Sequence, residues 1–537
     1  MFETQTLVSL GVGLAVFYIV PKILGFRRAV QSIGDWPGFR TIFSDRFLWF
    51  PFTVPGISPG PQRSFYKKYQ DFAQAGVDVV SAVNYLPTPQ VTYYVADPAI
   101  AKEIVGARAR FPKPLEFYDI LAAFGSNILV TEGDEWKRQR KIAAPAFSEK
   151  NNRLVWDETV LILHDLFHNV WGDREVVELD NAMDITVGIT LLVIGVAGFG
   201  RRISWNEDSI APQGHSMTFK AFLHSDLAAY AMLTLDALNE VSHRLFLRIL
   251  FPDWILRWGT PSMRHFIRAF EEIKLYLAEM VEARRAAKTK EERYDLFSNL
   301  LDANEDELDS AAKLTDEKLV GNVFLFLVAG YETTAHTLAY ALILLALNPE
   351  EQEAFYQNIK SVLPEGREPT YDDFSSLSYS LAVFNETLRW FPPVVDIPKQ
   401  SAEDTTFTTT NAAGEKIAIP VPRGSYITLC APSLHHNPKY FDEPSRFRPA
   451  RFLDPGSRAR DAFLPFSGGP RGCIGRGFAE TEAVAALTLL VARFRVTVRE
   501  EARFAGETRE ARAARLLRSQ HSLTIYPERA PLVLTRR

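Results

Sequence analysis

The chain has 537 residues, of which 47% are apolar, with 38 Phe, 9 Trp and a formal net charge of −5. This composition supports a deep hydrophobic core and an apolar pocket, and it lacks the basic stripe of a nucleic-acid-binding protein. Two cysteines, Cys430 and Cys473, exclude a disulfide framework and favour a reducing compartment, with Cys430 as a core residue. Since no Gly/Ser-rich linker or internal repeat divides the chain, we expect one large globule.

The first predicted element is an apolar helix from Leu7 to Phe26, which is followed by a basic pair. Twenty helical residues cross roughly 30 Å of hydrocarbon. Because Glu3 precedes the apolar run and the positive charges follow it, the pattern indicates an uncleaved signal anchor that leaves the remaining chain in the cytosol. Pro21 and Lys22 shorten the uninterrupted run, so a tilted or partly interfacial helix is the alternative.

The domain organisation follows from this helix. We expect a membrane anchor over residues 1–28, a proline-containing hinge with the start of the catalytic domain over 29–60, and the catalytic domain itself over 61–537. The single anchor predicts attachment to a membrane, with the catalytic domain in the cytosol. A second apolar stretch, Leu245 to Trp258, is either another lipid contact or a buried helix.

The next elements alternate between strands and helices. Residues 91–95 predict a strand, and Asp97-Pro98 is a cap for the helix that follows. An aromatic-rich connector over 111–129 either lines a pocket or belongs to the core. Farther on, Trp136 and Arg140 have the i, i+4 spacing that brings two side chains to one partner.

A long apolar helix is predicted from the capping residue Thr315 to a stop before Pro349. At 1.5 Å per residue it runs roughly 50 Å, enough to cross a large domain. A second membrane span is the alternative, but Glu332, Thr333 and His336 would then place polar groups near the bilayer centre. The pattern therefore favours a helix buried in protein.

A shorter helix carries Glu386 and Arg389, whose i, i+3 spacing allows a bidentate ion pair. A solvated surface pair is the alternative. The sequence Trp390-Phe-Pro-Pro ends this helix. Beyond it, Phe407 opens a predicted strand, and residues 417–429 indicate further paired strands around a Pro-Arg-Gly turn, which together form a smaller β region.

The most informative segment surrounds Cys473 and reads Phe466-Ser-Gly-Gly-Pro-Arg-Gly-Cys-Ile-Gly475. A cysteine that binds iron as a thiolate must be deprotonated and closely approached by backbone N–H groups, which the glycines permit because they lack a Cβ. A helical pattern from Arg476 to Phe494 follows, and the positive end of its dipole would stabilise the thiolate. A buried structural cysteine in a Gly-rich turn is the alternative.

The pattern F-x-x-G-x-R-x-C-x-G resembles the haem-binding signature of the cytochrome P-450 family, and every fixed position is filled. The resemblance extends from about Asp35 to the C-terminus. It implies a mainly α fold with a smaller β region, the cytochrome P-450 fold, here with one N-terminal transmembrane helix. It also implies haem b as the cofactor, with the Cys473 thiolate as the axial ligand of the iron.

The resemblance assigns roles around the haem. Glu332 and Thr333 become the acid–alcohol pair that supplies protons during oxygen activation, with Gly330 leaving room for dioxygen. Lys399 stands where many relatives carry arginine, and therefore offers a point charge instead of a fork. The other implied cofactor-binding residues are Phe466 over the sulfur side of the ring, Trp136, Arg140 and Arg471 at the propionates, and Gly475.

Two further groups of residues follow from the resemblance. Arg451 would join Glu386 and Arg389 in a structural triad, although Ala450 replaces the acidic residue that usually precedes this arginine. The substrate pocket would contain a polar tip from residues 519–524, and His521 in that tip is interpreted as solvated. Its apolar lining is predicted to be Phe117, Phe124, Phe324, Val328, Val394 and Ile397.

The resemblance implies a membrane-anchored monooxygenase at the endoplasmic reticulum, similar to eukaryotic microsomal enzymes and, in style, to fungal enzymes of secondary metabolism. It would insert one oxygen atom from O2 into a lipophilic molecule such as a terpenoid or sterol, with electrons from a separate NADPH-dependent reductase. A reductase-independent haem-thiolate isomerase or dehydratase and a non-catalytic haem or lipid-binding protein are the alternatives. Neither alternative needs the Glu332–Thr333 pair.

Overall fold

The computed structural model describes residues 2–45, 53–200, 251–286, 294–307, 313–411, 413–454 and 460–537, together with residues 205, 247 and 456. The predicted hinge over 29–60 and the apolar stretch from residue 245 both lie partly outside the described residues.

The described residues contain the following α-helices: α1 Phe2–Ser32, α2 Arg63–Lys67, α3 Gln70–Ala75, α4 Pro98–Gly106, α5 Gly133–Ala143, α6 Glu149–Asp165, α7 Ala182–Val193, α8 Asp253–Trp258, α9 Pro261–Ala286, α10 Leu296–Asp306, α11 Asp316–Leu347, α12 Pro349–Val362, α13 Ser378–Trp390, α14 Ala431–His435, α15 Arg476–Arg493 and α16 Arg509–Leu516. The β-strands are β1 Gly38–Phe43, β2 Val79–Leu86, β3 Gln90–Val95, β4 Val176–Leu179, β5 Asp396–Gln400, β6 Thr405–Thr410, β7 Lys416–Val421, β8 Tyr426–Cys430, β9 Phe494–Val498, β10 Ser519–His521, β11 Ile525–Pro527 and β12 Leu532–Arg536.

The contacts divide the chain into two compact units. The first unit comprises Met1–Pro114, Val394–Arg446 and Gly456–Cys473. The second comprises Leu115–Pro393, Phe447–Pro455 and Ile474–Arg537.

The first unit is built on a five-stranded sheet with the strand order β1-β2-β3-β8-β5. Strand β3 forms where the sequence predicts it, and its residues are buried on both faces. The carboxylate of Asp97 accepts hydrogen bonds from the N–H groups of Ala99 and Ile100, so the predicted cap of α4 is confirmed. The hairpin of β6 and β7 forms a separate two-stranded sheet.

The predicted pairing within residues 417–429 is wrong. These residues do form two strands, but β7 pairs with β6, whereas β8 lies between β3 and β5. Because both edges of β8 are already hydrogen bonded, it has no edge left for β7. Strand β5 was not predicted, because Pro398 inside it weakens the sequence pattern of a strand.

The second unit is mostly helical and is organised around α11, which is 32 residues long. The side chain of Thr315 accepts a hydrogen bond from the Lys318 N–H, and the helix ends before Pro349, so both predicted ends are confirmed. Strands β4, β12 and β9 form an antiparallel sheet, and β10 and β11 form a hairpin near the C-terminus.

Helix α1 runs from Phe2 to Ser32 and continues through Pro21. Its described side chains start at Phe17, which is 80% exposed, and Phe26 packs against the hydrophobic core of the first unit. Among the described residues, no helix combines the length and the apolar content that crossing a bilayer requires.

Candidate active site

The Cys473 loop is a compact turn in the first unit. The Cys473 N–H donates to the Phe466 carbonyl at 2.9 Å, and the Gly472 N–H donates to the Gly469 carbonyl at 3.0 Å. Cys473 is exposed, whereas Cys430 is buried in β8, where burial raises the pKa of its thiol well above the usual value. Of the two cysteines, Cys473 is therefore the one suited to binding a metal as a thiolate.

Two glycines bring this loop close to the C-terminal end of α4. Gly469 has a φ of +63°, and a Cβ at this position would overlap the carbonyl group of Val105. A Cβ at Gly468 would lie 3.1 Å from Cγ2 of the same valine. The loop entrance is held by His435, whose Nε2 accepts a hydrogen bond from the Leu464 N–H at 3.0 Å. The loop conformation therefore depends on glycine at its turn.

The other predicted cofactor residues of the first unit lie near the loop or in the sheet. Phe466 and Arg471 are half-buried within the loop, and Lys399 is buried on β5. In the second unit, Trp136 and Arg140 lie one turn apart on α5, and Gly475 precedes α15. Trp136 is buried and Arg140 is half-buried.

The middle of α11 has a short break in its burial. Every residue from Leu319 to Leu345 is buried except Ala329, Gly330 and Thr333. Ala329 and Thr333 share one face through their i, i+4 spacing. The Thr333 hydroxyl donates to the Ala329 carbonyl at 2.8 Å. The predicted alcohol thus lies on the exposed face of an otherwise buried helix.

Glu332 points away from Thr333 and toward the hairpin of β10 and β11. Its Oε1 accepts hydrogen bonds from the Thr524 hydroxyl at 2.7 Å and the Ser522 hydroxyl at 3.1 Å. Its Oε2 is buried and has no hydrogen-bond partner among the described residues. Burial raises the pKa of Glu332, and the two hydroxyl contacts only partly oppose that shift. The environment therefore favours a neutral, protonated carboxyl.

Gly330 has a packing role that was not predicted. A Cβ at Gly330 would lie 2.9 Å from Cδ1 of Ile194, in the turn that follows α7. The missing side chain therefore permits close packing of two chain segments, and the expected room for dioxygen at Gly330 stays a prediction.

The predicted triad is present in the second unit. The two nitrogens Nε and Nη2 of Arg389 each lie 2.8 Å from an oxygen of Glu386, and Nε of Arg451 lies 3.1 Å from Glu386 Oε2. The Arg448 N–H adds a hydrogen bond of 2.9 Å to Glu386 Oε1. Glu386 and Arg389 are fully buried, which excludes the alternative of a solvated surface pair.

The predicted pocket residues fall into both units. Phe124 and Phe324 stack with ring centroids 3.7 Å apart, and Phe270 adds a third ring 4.1 Å from Phe124. Val328 is buried on α11, and Phe117 is half-buried in a short turn. In the first unit, Val394 is 47% exposed and Ile397 is half-buried on β5.

Three contacts of the site were not predicted. The hydroxyls of Ser522 and Thr524 bind Glu332, and His336 Nδ1 lies 2.7 Å from Thr524 Oγ1. The residue types of the C-terminal tip had indicated only a polar pocket contact. His521 is half-buried, and burial lowers its pKa.

Comparison with known proteins identifies the family. The family model described as Cytochrome P-450 matches residues 46–514. The chain is 52% identical over 534 residues to a protein of Postia placenta named cytochrome P-450 monooxygenase 124, with coverage of 99% of this chain and 100% of the relative. The chain belongs to the cytochrome P-450 family. It is a monooxygenase and binds haem through a cysteine thiolate.

More distant matches agree with this assignment. The chain is 29% identical to the cyclooctat-9-en-7-ol 5-monooxygenase of Streptomyces melanosporofaciens, with coverage of 83% of this chain and 90% of the relative. A crystal structure of the cytochrome P-450DA haem domain matches the fold with a TM-score of 0.70 at 22% identity, covering 93% of this chain and 98% of that one.

The residues of this P-450 fit the cofactor of the family. An exposed thiol is presented by a glycine-dependent loop, which is the chemistry that an iron thiolate ligand requires. The cations Arg140, Arg471 and Lys399 are of the type that pairs with the two haem propionates.

Proposed function

We propose that this P-450 is a membrane-anchored enzyme that inserts one oxygen atom from O2 into a lipophilic small molecule, with electrons from a separate NADPH-dependent reductase. The observation that carries this proposal is the half-buried Thr333 on the open face of α11, next in sequence to the buried Glu332, whose pKa is raised by burial. When bound, the haem supplies the redox chemistry that activates oxygen.

We assign separate roles in proton delivery to Glu332 and Thr333 on α11. Oε1 of Glu332 lies within hydrogen-bond distance of two hydroxyls, and Oε2 is buried without a partner among the described residues, so burial favours the neutral form of this carboxyl. Thr333 Oγ1, on the exposed face of the helix, orients the proton that reaches the reacting oxygen. An isomerase, a dehydratase or a passive binder would not need this arrangement, so its presence counts against these alternatives.

The proposed substrate is a lipophilic molecule of the terpenoid or sterol type. Its support is the set of apolar side chains predicted for the pocket, since burial of apolar surface gives roughly 25 cal/mol per Å². One relative is named for the 5-monooxygenation of cyclooctat-9-en-7-ol. Shape, more than polar anchoring, would then decide which carbon is oxidised.

The decisive experiment compares turnover of the purified enzyme with and without a P-450 reductase and NADPH. Extracts of cells with and without the enzyme provide candidate substrates through an untargeted metabolite comparison. Product formation that requires reductase and incorporates ¹⁸O from ¹⁸O2 supports the monooxygenase. Product without reductase would identify an isomerase or dehydratase, and haem or lipid binding without any product would favour a passive binder.

We also propose that the enzyme is held at the endoplasmic reticulum membrane by α1, with its catalytic domain in the cytosol. The apolar run from Leu7 to Phe26 and the exposed apolar side chains from Phe17 to Leu24 support this anchor. Helix α8 offers a second contact, since Trp254 is 66% exposed and Trp258 is 85% exposed.

Membrane flotation tests this location. Deletion of residues 2–24, which retains Phe26 and its packing in the first unit, should release the enzyme from membranes and preserve its haem spectrum. Residual binding that disappears after Trp254→Ser and Trp258→Ser would identify α8 as the second contact. Full membrane retention of the protein that carries the deletion and both tryptophan substitutions would contradict the proposed membrane anchor.

A further inference from the structure

A small internal cavity lies beside the central helix α11 in the second unit. Its walls come from α10, from α11 and from the π-helical turn Ile194–Gly198 that follows α7. Every described residue that lines it is apolar and buried, and Leu300, Val323 and Phe326 are among them. The free space is about large enough for one water-sized molecule.

The chemistry of the walls decides what this cavity can hold. A buried water needs about two to four polar partners, and the surface that faces this space is almost entirely apolar. Apolar cavities of this kind stay dry and accept small apolar molecules such as xenon. The occupant must therefore be small, uncharged and independent of hydrogen bonds. Dioxygen, which a monooxygenase consumes, has these properties.

The position of the cavity along α11 relates it to the candidate active site. Val323 and Phe326 line the cavity, and the spacing of three or four residues places Gly330 and Thr333 on the same face of the helix. From Phe326 to Thr333 the helix rises by roughly 10 Å. The cavity thus lies on the face of α11 that carries the hydroxyl assigned to proton delivery.

One side chain connects the cavity with this part of the helix. Ile194 lines the cavity, and a Cβ at Gly330 would lie 2.9 Å from its Cδ1. A Cβ at Gly198 would also lie 2.9 Å from that atom, so two glycines leave the space that the terminal methyl group occupies. Rotation about χ2 moves this methyl group between staggered positions without moving the rest of the side chain. A single side-chain rotation can therefore open the contact between the cavity and Gly330.

We propose that this cavity is a docking site for dioxygen, and that Ile194 controls its passage to the face of α11 that carries Gly330 and Thr333. This inference rests on the proposed function, in which O2 is a substrate. An apolar gas is transferred favourably from water into apolar space, so the cavity raises the concentration of dioxygen beside the helix. No bond forms or breaks at the cavity, and no proton or electron moves there.

Two substitutions change the free space in opposite directions. Val323→Ile adds one methylene group to the wall and should fill the cavity. Ile194→Val removes Cδ1 and should both enlarge the cavity and open the contact with Gly330. The matched control is Ile343→Val, which removes the same group from a fully buried position on the opposite face of α11. Haem absorbance and Tm show that each variant is folded before binding is compared.

Xenon is the probe for binding without turnover. Crystals of the full-length ferric holoenzyme under xenon pressure should show anomalous density between Ile194, Leu300 and Phe326. A xenon NMR titration of the same protein in solution measures the affinity. Ile194→Val should bind xenon about threefold more tightly than the parent enzyme, because xenon then displaces less of the wall. Val323→Ile should lose the site, and Ile343→Val should match the parent.

Dioxygen itself is tested by its concentration dependence. Product formation with reductase and NADPH, measured at a series of dioxygen concentrations, gives the KM for dioxygen. Val323→Ile should raise this KM by about twofold or more, and Ile194→Val should lower it. Ile343→Val should have the KM of the parent enzyme. A loss of stability alone would not move the KM in opposite directions in the first two variants.

Each contrary result has its own meaning. Absence of xenon from the cavity in both the parent enzyme and Ile194→Val would overturn the gas site. Bound xenon together with a parent-like KM for dioxygen in Val323→Ile and Ile194→Val would show that the cavity does not serve dioxygen. Absence of any O2-dependent product from the parent enzyme would overturn the proposed function and the dioxygen assignment with it, whereas the xenon result would still report on the cavity alone.

Discussion

Asn322 on α11 and Gln139 on α5 are joined by a hydrogen bond of 2.9 Å from Asn322 Nδ2 to Gln139 Oε1, and both side chains are fully buried. Asn322 Oδ1 also accepts from the Ile128 N–H at 3.0 Å. One asparagine therefore fixes the central helix to the helix that carries Trp136 and Arg140.

Asn322→Leu should destabilise the enzyme by about 2–4 kcal/mol, because it leaves the Gln139 amide and the Ile128 N–H buried without this partner, at about 1–3 kcal/mol each. Denaturant unfolding followed by haem absorbance measures the loss. Ser361→Ala is the control, since its exposed hydroxyl only contacts the Asn358 carbonyl. Equal stabilities of the two variants would contradict the bridging role.

Cys473→Ser should abolish the thiolate spectrum of the reduced carbon monoxide complex, because serine cannot provide the thiolate ligand. Cys430→Ser should keep that spectrum, since Cys430 is buried in the sheet of the first unit. A thiolate spectrum in the Cys473 variant would refute the ligand assignment.

Thr333→Ala should still bind haem and consume NADPH, but product per NADPH should fall by a factor of about ten and hydrogen peroxide should rise. The matched control is Thr337→Val, because the Thr337 hydroxyl makes the same type of bond, 2.8 Å to the Thr333 carbonyl, but is buried. If both variants couple as well as the parent enzyme, Thr333 has no part in proton delivery.

Glu386→Gln should cost about 3–5 kcal/mol and reduce haem retention, because the amide keeps the shape but cannot neutralise Arg389 and Arg451. Asp134→Asn breaks the exposed pair with Lys137 and should change stability by no more than about 0.5 kcal/mol. Thermal unfolding of the two variants at one pH provides the comparison. A normal, haem-loaded Glu386→Gln enzyme would show that the triad does not support the fold.

Glu482 on α15 is fully buried, neither of its oxygens has a hydrogen-bond partner among the described residues, and burial raises its pKa well above the usual value. Above the pKa of the unfolded state, the folded protein holds one proton more than the unfolded protein, so stability falls as pH rises toward the raised pKa. Glu482→Gln removes that dependence. Its Tm should exceed that of the parent enzyme by an amount that grows from pH 5 to pH 8, and a constant difference would contradict a buried neutral acid.

The sequence by itself determined the features that depend on neighbours along the chain. The Cys473 motif indicated the family and the cofactor. The capping residues Asp97 and Thr315 predicted where two helices begin. Each of these signals lies within about ten consecutive residues, so it can be recognised from the sequence alone. The i, i+3 spacing of Glu386 and Arg389 likewise predicted their pair.

Only the tertiary structure decided which distant groups share a buried environment. Thr524 meets Glu332 across 192 residues, and β8 joins β3 across more than 300, so no local pattern encodes either contact. The same is true of Gly330, whose missing Cβ accommodates Ile194. The pKa of a carboxyl is raised because folding removes solvent from it, and that burial depends on contacts between segments that are far apart in the chain.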